Sequence, residues 1–219
     1  EFLDQSPETW CPFIQKLKPQ SISFNDHYAT GTRTVRGLEA LALSVPPTPG
    51  SSILRRPHYE NLFSASSVLK PKGYEMIFWY GGYGYFDNMN AFFEHNGFTV
   101  RDRLFIPSEK VEHETIWGVS DEHLFDAFLE EIGNRKETTK PFFSLIMTTS
   151  NHRPYTFPEN RIPCKQGTRE SAVRYTDWAI QRFFEKAKTY PWFENTLFVI
   201  TADHCASSAG KMKVDPAKY

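Results

Sequence analysis

Three runs constrain the fold more than anything else in the chain: YEMIFWYGG (Tyr74–Gly82), PFFSLIMTTS (Pro141–Ser150) and NTLFVITADH (Asn195–His204). Each is apolar almost throughout, without the polar alternation of a strand that has one wet face. A strand covered on both faces reads this way, as in a parallel sheet with helices on either side. Between the runs lie stretches with helical spacing. Alternation of the two patterns predicts an α/β fold with a largely parallel sheet.

The helical stretches are legible from their stripes and stops. TVRGLEALALSV (Thr34–Val45) places Val35, Leu38, Leu41, Ala42 and Val45 on one face, and Pro46 and Pro47 end it. Helices are also predicted over Trp10–Leu17, over Asn61–Gly73 and over Phe86–Gly97, the last two stopped by glycine. Ser120 can cap a helix carrying Leu124, Phe125, Phe128, Leu129 and Ile132. Glu170–Thr189 is the longest helix, with Val173, Asp177, Ile180, Phe184 and Ala187 near one stripe. Ser21–Ala29 reads as a strand entering a loop, FTVRDR as a short edge strand, and Arg101 to Trp117 as mostly loop.

At 219 residues and 40% hydrophobic content the chain can bury a core the size of one α/β domain. Its formal net charge of −1 offers no bulk attraction to nucleic acid. No apolar run reaches the roughly 18 residues of a membrane span. Cys11, Cys164 and Cys205 are odd in number and have no zinc-ribbon spacing, so they read as ordinary thiols, with a Cys11–Cys164 bridge as an alternative. The first residues, EFLDQSPETW, and the last, KVDPAKY, read as the ends of a segment of a longer protein.

Ligands of open α/β sheets sit beyond the carboxyl ends of the strands. Reactive side chains collect there. Asp203 and His204 stand side by side at a strand end, a hard oxygen beside an imidazole nitrogen, which suits Zn²⁺ or Mn²⁺. Thr34 stands where a helix begins, and its hydroxyl could attack phosphorus if a metal lowered its pKa. The open N–H groups of that first turn favour an anion, and Arg33 and Arg36 add charge beside them. His152, in TTSNHRPY, could hold a ligand or act as general acid. Taken singly, each has a plainer reading: a capping Asp beside an incidental His, an N-cap Thr, a loop His. Together on one rim they are the layout expected of metal-assisted phosphoryl or sulfuryl transfer.

GTRTVRGLEALALSVPPTPG, GGYGYFDNMNAFF, WGVSDEHLF, TTSNHRPY, YTDWAIQRFF and WFENTLFVITADHCASSAGK, in this order, resemble the lipoteichoic acid synthase and phosphoglycerol transferase branch of the alkaline phosphatase/sulfatase superfamily. The resemblance implies a central sheet sandwiched by helices, with residues 1–219 as a partial catalytic domain lacking the first strand and the C-terminal part. It implies a Thr nucleophile at Thr34, with Thr32 as the fallback, and a divalent metal held by Thr34, Asp203 and His204. The metal is Mn²⁺ in many members, with Zn²⁺ or Mg²⁺ as alternatives. His152, Ser208 and Arg33 then hold the substrate. The donor is a lipid such as phosphatidylglycerol, and the acceptor a hydroxyl of a glycan or polymer. A membrane anchor is expected upstream, with the catalytic domain on the periplasmic or extracellular side of a bacterial inner membrane.

Two departures from the pattern stand out. The family's metal-binding Glu closes its first strand, and this chain starts just after that point, so Glu1 does not correspond to it. Where the synthases carry an aromatic and an Arg that grip phosphoglycerol, this chain has Asp87 and Met89. Alternatives within the fold are a phosphodiesterase, a phosphoethanolamine transferase or an inactive binding module. GTRTVRG lacks the C/S-x-P-x-R segment of formylglycine sulfatases.

Overall fold

A computed structural model of the chain describes residues 10–133, 135 and 140–204. Its centre is strand β1 (Glu75–Tyr80), flanked by β2 (Thr99–Arg101) and β5 (Phe142–Met147), all parallel, in the order β2-β1-β5. Ile77 pairs with Thr99 and Trp79 with Arg101 on one side; Glu75 pairs with Phe142 and Tyr80 with Met147 on the other. From β1 the chain passes first to one flank, through helix α4 (Met89–His95), and later to the other, through helix α5 (Asp121–Gly133). The gap beyond β1 and β5 is therefore a topological switch point, where open α/β sheets hold their ligands.

Met76 to Tyr80 are all at most 4% exposed, which explains the unbroken apolar reading of β1. Alternate residues serve two cores. Met76, Phe78 and Tyr80 pack with α4 and with helix α2 (Thr34–Leu43), and Phe78 stacks on Phe93 at 3.7 Å between ring centroids. Ile77 and Trp79 pack with α5 and the long helix α6 (Arg169–Ala187), Trp79 meeting Phe128 edge-on at 5.6 Å. A short helix α1 (Pro12–Leu17) closes this second side, its first N–H groups capped by Asp177 of α6, at 2.9 Å to Phe13 N and to Ile14 N.

Several expected elements are shorter. The Asn61–Gly73 stretch is helical only over α3 (Ala65–Leu69), opened by a Ser64–Ser67 capping box, before a 3₁₀ turn at Lys70–Lys72. The stretch from Phe86 begins as a 3₁₀ turn, with Asp87 and Asn88 left-handed, and becomes α-helical at Met89. Helix α2 stops at Leu43 because Ser44 is left-handed. Its buried stripe is Val35, Leu38, Glu39, Ala42 and Leu43, while Leu41 is 41% exposed. A carboxylate thus takes a core position that the apolar pattern assigned elsewhere. Ser120 turns its hydroxyl to His113 rather than to the start of α5. The β2–α5 loop contains a hairpin, β3 (Glu114–Thr115) and β4 (Gly118–Val119), which the sequence pattern did not reveal.

Two predicted strands are not strands. In Ser21–Ala29, Ile22, Phe24 and Tyr28 are 74–85% exposed. In the Asn195–His204 run only Phe198 joins the core, against Phe183, Phe184 and Phe193, while Leu197 and Val199 face outward. An apolar run becomes a strand only when a neighbour takes its N–H and C=O groups, and neither segment is laddered to one among the described residues. Cys11 and Cys164 are free, so the alternative bridge is not formed. Cys205 lies outside the described residues.

Candidate active site

The site is built where β1 and β5 end. Beyond Tyr80 the chain makes the Gly81–Gly82 turn. Gly81 donates to the Met147 carbonyl at 3.1 Å, continuing the β1–β5 ladder, and accepts from Val119 N at 2.9 Å. Gly82 has room for no side chain: a Cβ there would lie 2.6 Å from Tyr80 Cζ and 2.7 Å from Tyr80 Oη, and against the Trp117 carbonyl oxygen. Glycine is thus a packing requirement at this turn.

Thr34 is the first residue of α2. The N-cap residue Arg33 is extended (φ −145°, ψ 153°) and its side chain makes no capping hydrogen bond. The start of α2 is thus left available to an anion. Thr34 is half-buried, whereas Thr32 and Arg33 are exposed on the approach to it. Arg36 does not face the site. It pairs with Glu39 at 2.8 Å and donates to the carbonyls of Thr48 and Gly50, tying down the loop after α2. The Glu39 carboxylate is also held by Ser52 Oγ at 3.0 Å and Ile53 N at 2.6 Å.

Asp203 meets the same turn of α2. A Cβ on Gly37 would stand 2.8 Å from the Asp203 carbonyl carbon and 2.9 Å from its Cβ, so the two backbones touch. His204 turns back on its neighbour: its N–H donates to Asp203 Oδ1 at 2.9 Å, and Nε2 lies 3.5 Å from Oδ2. The adjacent pair thus converges, as expected of a chain that turns at this point. Asp203 is also near the end of β1. Burial, then the charges of Asp87 and Asp203, push the Tyr80 phenol up to about 12.

His152 is linked to the Gly81–Gly82 turn through Trp117, whose carbonyl lies against Gly82. It is exposed and stacks on Trp117, with ring centroids 3.8 Å apart. The structure therefore brings the Thr34 turn, Asp203 and His204 into one cluster, and ties His152 to it through Tyr80, Gly82 and Trp117. Ser208 lies outside the described residues. Of the two departures noted in the sequence, Met89 is fully buried as the first residue of α4 and Asp87 pairs with Arg55 at 3.4 Å, so neither offers a free grip on a headgroup. Pattern reading passed over Tyr80, Trp117 and Asp121. For Trp117 and Asp121 the signal lay in WGVSD, which was read as a family motif and a helix start; Tyr80 was read only as the end of a strand.

The donors that meet each other here are the Asp203 carboxylate and the His204 imidazole; the Thr34 hydroxyl opens the helical turn whose Gly37 packs on the Asp203 backbone. This mixture of hard oxygen and borderline nitrogen fits Mn²⁺, Zn²⁺ or Mg²⁺ better than a thiophilic ion. Among the described residues no three His, Cys, Asp or Glu side chains converge, so such an ion needs oxygen donors beyond these three.

The family model for sulfatases matches residues 2–219. The chain belongs to the sulfatase family. It is similar to lipoteichoic acid synthase 1 of Bacillus subtilis, 26% identical over 162 residues, which are 66% of this chain and 24% of that protein. It is similar to phosphoglycerol transferase I of Escherichia fergusonii, 26% identical over 94% of this chain and 28% of that protein. Among solved structures, a protein of the alkaline phosphatase superfamily from Vibrio parahaemolyticus superposes with a TM-score of 0.77 at 38% identity, covering 84% of this chain and 46% of that one. This sulfatase-family chain thus spans about a quarter of the length of the curated relatives it matches.

Proposed function

We propose that this chain carries the nucleophile and part of the metal site of a phosphoglycerol transferase of the bacterial cell envelope. One observation carries the reading: Thr34, the hydroxyl residue at the start of α2, opens the helical turn whose Gly37 packs on the backbone of Asp203, which is itself paired to His204. The names of the curated relatives support phosphoglycerol as the transferred group.

Thr34, Asp203 and His204 would hold a divalent ion, Mn²⁺ first among the alternatives Zn²⁺ and Mg²⁺. When bound, that ion lowers the pKa of a coordinated hydroxyl and screens charge on phosphorus. Thr34 Oγ forms a bond to phosphorus as the bond from phosphorus to the lipid glycerol oxygen breaks, leaving phosphoglycerol on Thr34. The departing alkoxide takes a proton, for which His152 is the donor. The open N–H groups of α2 donate to a non-bridging oxygen, and Arg33 and Ser208 contact the donor. In the second displacement an acceptor hydroxyl of a glycan or polymer bonds to phosphorus and returns a proton to His152, while the Thr34 oxygen leaves and takes back from water the proton it released to water in the first step. The donor is a lipid such as phosphatidylglycerol, which sets the reaction at the outer face of a bacterial inner membrane with the protein anchored there.

The test uses the full-length protein with Mn²⁺ and labelled phosphatidylglycerol, with tryptic peptides read by mass spectrometry. A phosphoglycerol adduct is expected on Thr34, lost in Thr34→Ala and retained in Thr32→Ala. An adduct that survives Thr34→Ala, or none under turnover, refutes the mechanism. The pairing of Asp87 and the burial of Met89 favour a headgroup grip different from that of the synthases, so labelled phosphatidylethanolamine is the comparison donor.

A further inference from the structure

WGVSD (Trp117–Asp121) does more than open a helix. Trp117 is half-buried at the two-residue tip of the β3–β4 hairpin, beside Ile116, which is exposed. The tip is fixed from several sides. Trp117 N donates to Thr115 Oγ1 at 3.1 Å, the Trp117 carbonyl lies against Gly82, and the Phe86 ring meets the indole edge-on at 5.9 Å. Gly118, at φ +133°, packs so closely on Gly81 and Gly82 that a Cβ there would lie 2.5 Å from Gly82 Cα.

The same five residues hold the backbone that leads to His152. Val119 donates to the Gly81 carbonyl, and its own carbonyl accepts from Thr149 Oγ1 at 2.7 Å. Asp121, fully buried, accepts from Thr149 N at 3.1 Å, Ser150 N at 2.9 Å and Thr176 Oγ1 at 2.8 Å, and its N–H donates to Ser150 Oγ at 3.0 Å. The chain is thus anchored two residues before His152. The imidazole's own hydrogen bond is local, Nδ1 to the Arg153 carbonyl at 3.2 Å. What bounds the ring on its face is the Trp117 indole, 3.8 Å away and inclined at 36°. An exposed His samples several rotamers, and an aromatic face narrows that choice.

We propose that Trp117, clamped to both strand ends by Gly118–Asp121, is the positioning residue that aims the His152 imidazole at the reacting group. The inference rests on the role given to His152 above, and the experiment separates the two. Full-length protein carrying Trp117→Leu, Trp117→Phe or His152→Ala is compared with wild type, using Mn²⁺ and labelled phosphatidylglycerol. The His152 Cε1–H resonance is followed by NMR with labelled histidine. In wild type, stacking shifts that resonance upfield; Trp117→Leu returns it to the ordinary imidazole position and Trp117→Phe leaves it upfield. Turnover in Trp117→Leu falls about 3- to 10-fold, the range an aromatic pair can support. KM changes by less than about twofold, since orientation acts on the chemical step, and Trp117→Phe recovers most of kcat. An unmoved His152 resonance in Trp117→Leu overturns the inference. So does wild-type kcat in Trp117→Leu when His152→Ala is inactive. Full activity of His152→Ala overturns the proposed role of His152 and the inference with it.

Discussion

Gly37→Ala sets two effects of opposite sign against each other. In a helix interior, alanine is favoured over glycine by about 1 kcal/mol. At position 37 the added methyl would stand 2.8 Å from the Asp203 carbonyl carbon and 2.9 Å from its Cβ, against an ordinary separation of 3.4–4 Å. The obstacle is backbone, so the segment carrying Asp203 and His204 must retreat by about 1 Å. Overpacking of this kind costs about 1–3 kcal/mol. The net loss of stability is then about 0–2 kcal/mol, a small change. The effect on the site is larger, because a misplacement of about 1 Å costs about 100-fold in rate. The expected outcome is a full-length variant that unfolds thermally within a few degrees of wild type, yet turns over labelled phosphatidylglycerol about 100-fold more slowly. Ala40→Gly, on the same helix, is the control: it forfeits about 1 kcal/mol of helix propensity and keeps wild-type turnover. Wild-type turnover in Gly37→Ala, with unchanged or increased stability, would refute the packing of Asp203 on the first turns of α2.

Asp121→Ala strands one buried donor, Ser150 N, and two half-buried ones, Thr149 N and Thr176 Oγ1, at about 1–3 kcal/mol each when left unpaired. It should lower the stability measured by urea unfolding by at least about 3 kcal/mol, whereas Asp121→Asn, which keeps an acceptor for Thr149 N and Ser150 N, should cost less than half as much. Burial pushes the Asp121 carboxyl up despite these hydrogen bonds. A raised carboxyl pKa means that the folded state binds the proton more tightly, so its contribution declines as pH rises above about 4. Asp126 has the opposite sign. Burial alone would raise it, but hydrogen bonds from Arg182 and Lys186 outweigh that and hold it below the ordinary range. Its contribution is complete above the unfolded value of about 4 and is lost as pH falls through the folded value. The stability gap between wild type and Asp126→Asn should therefore be level near pH 7 and narrow below about pH 4 in urea titrations; a gap that widens on acidification contradicts the pairing. Phe78→Ala empties a fully buried site stacked on Phe93 and should cost about 3–5 kcal/mol by denaturant unfolding. A loss under about 1 kcal/mol would mean that β1 is not the centre of the core.

The sequence by itself determined β1, β5, α5 and α6, because each carries its signal within its own length: an unbroken apolar run, or a stripe with the helical period. It also determined that Thr34 opens a helix and that Asp203 and His204 follow the last apolar run, since both are local facts of order. Contacts between distant segments were decided only by the tertiary structure. Glu39 is buried because Ser52, Ile53 and Arg36 reach its carboxylate, and no periodicity encodes such partners. Met89, which the family resemblance set near a headgroup position, belongs to the core because Asp87 and Asn88 are left-handed and α4 begins only after them. Ser21–Ala29 and Leu197–Ala202 carry strand-like composition without strand pairing among the described residues, since a ladder needs a second chain segment and composition describes only one. The same reason hid the role of WGVSD. Its five residues are too short to show a period, and their meaning lies in what they touch: Gly81, Gly82, Thr149, Ser150 and the imidazole of His152.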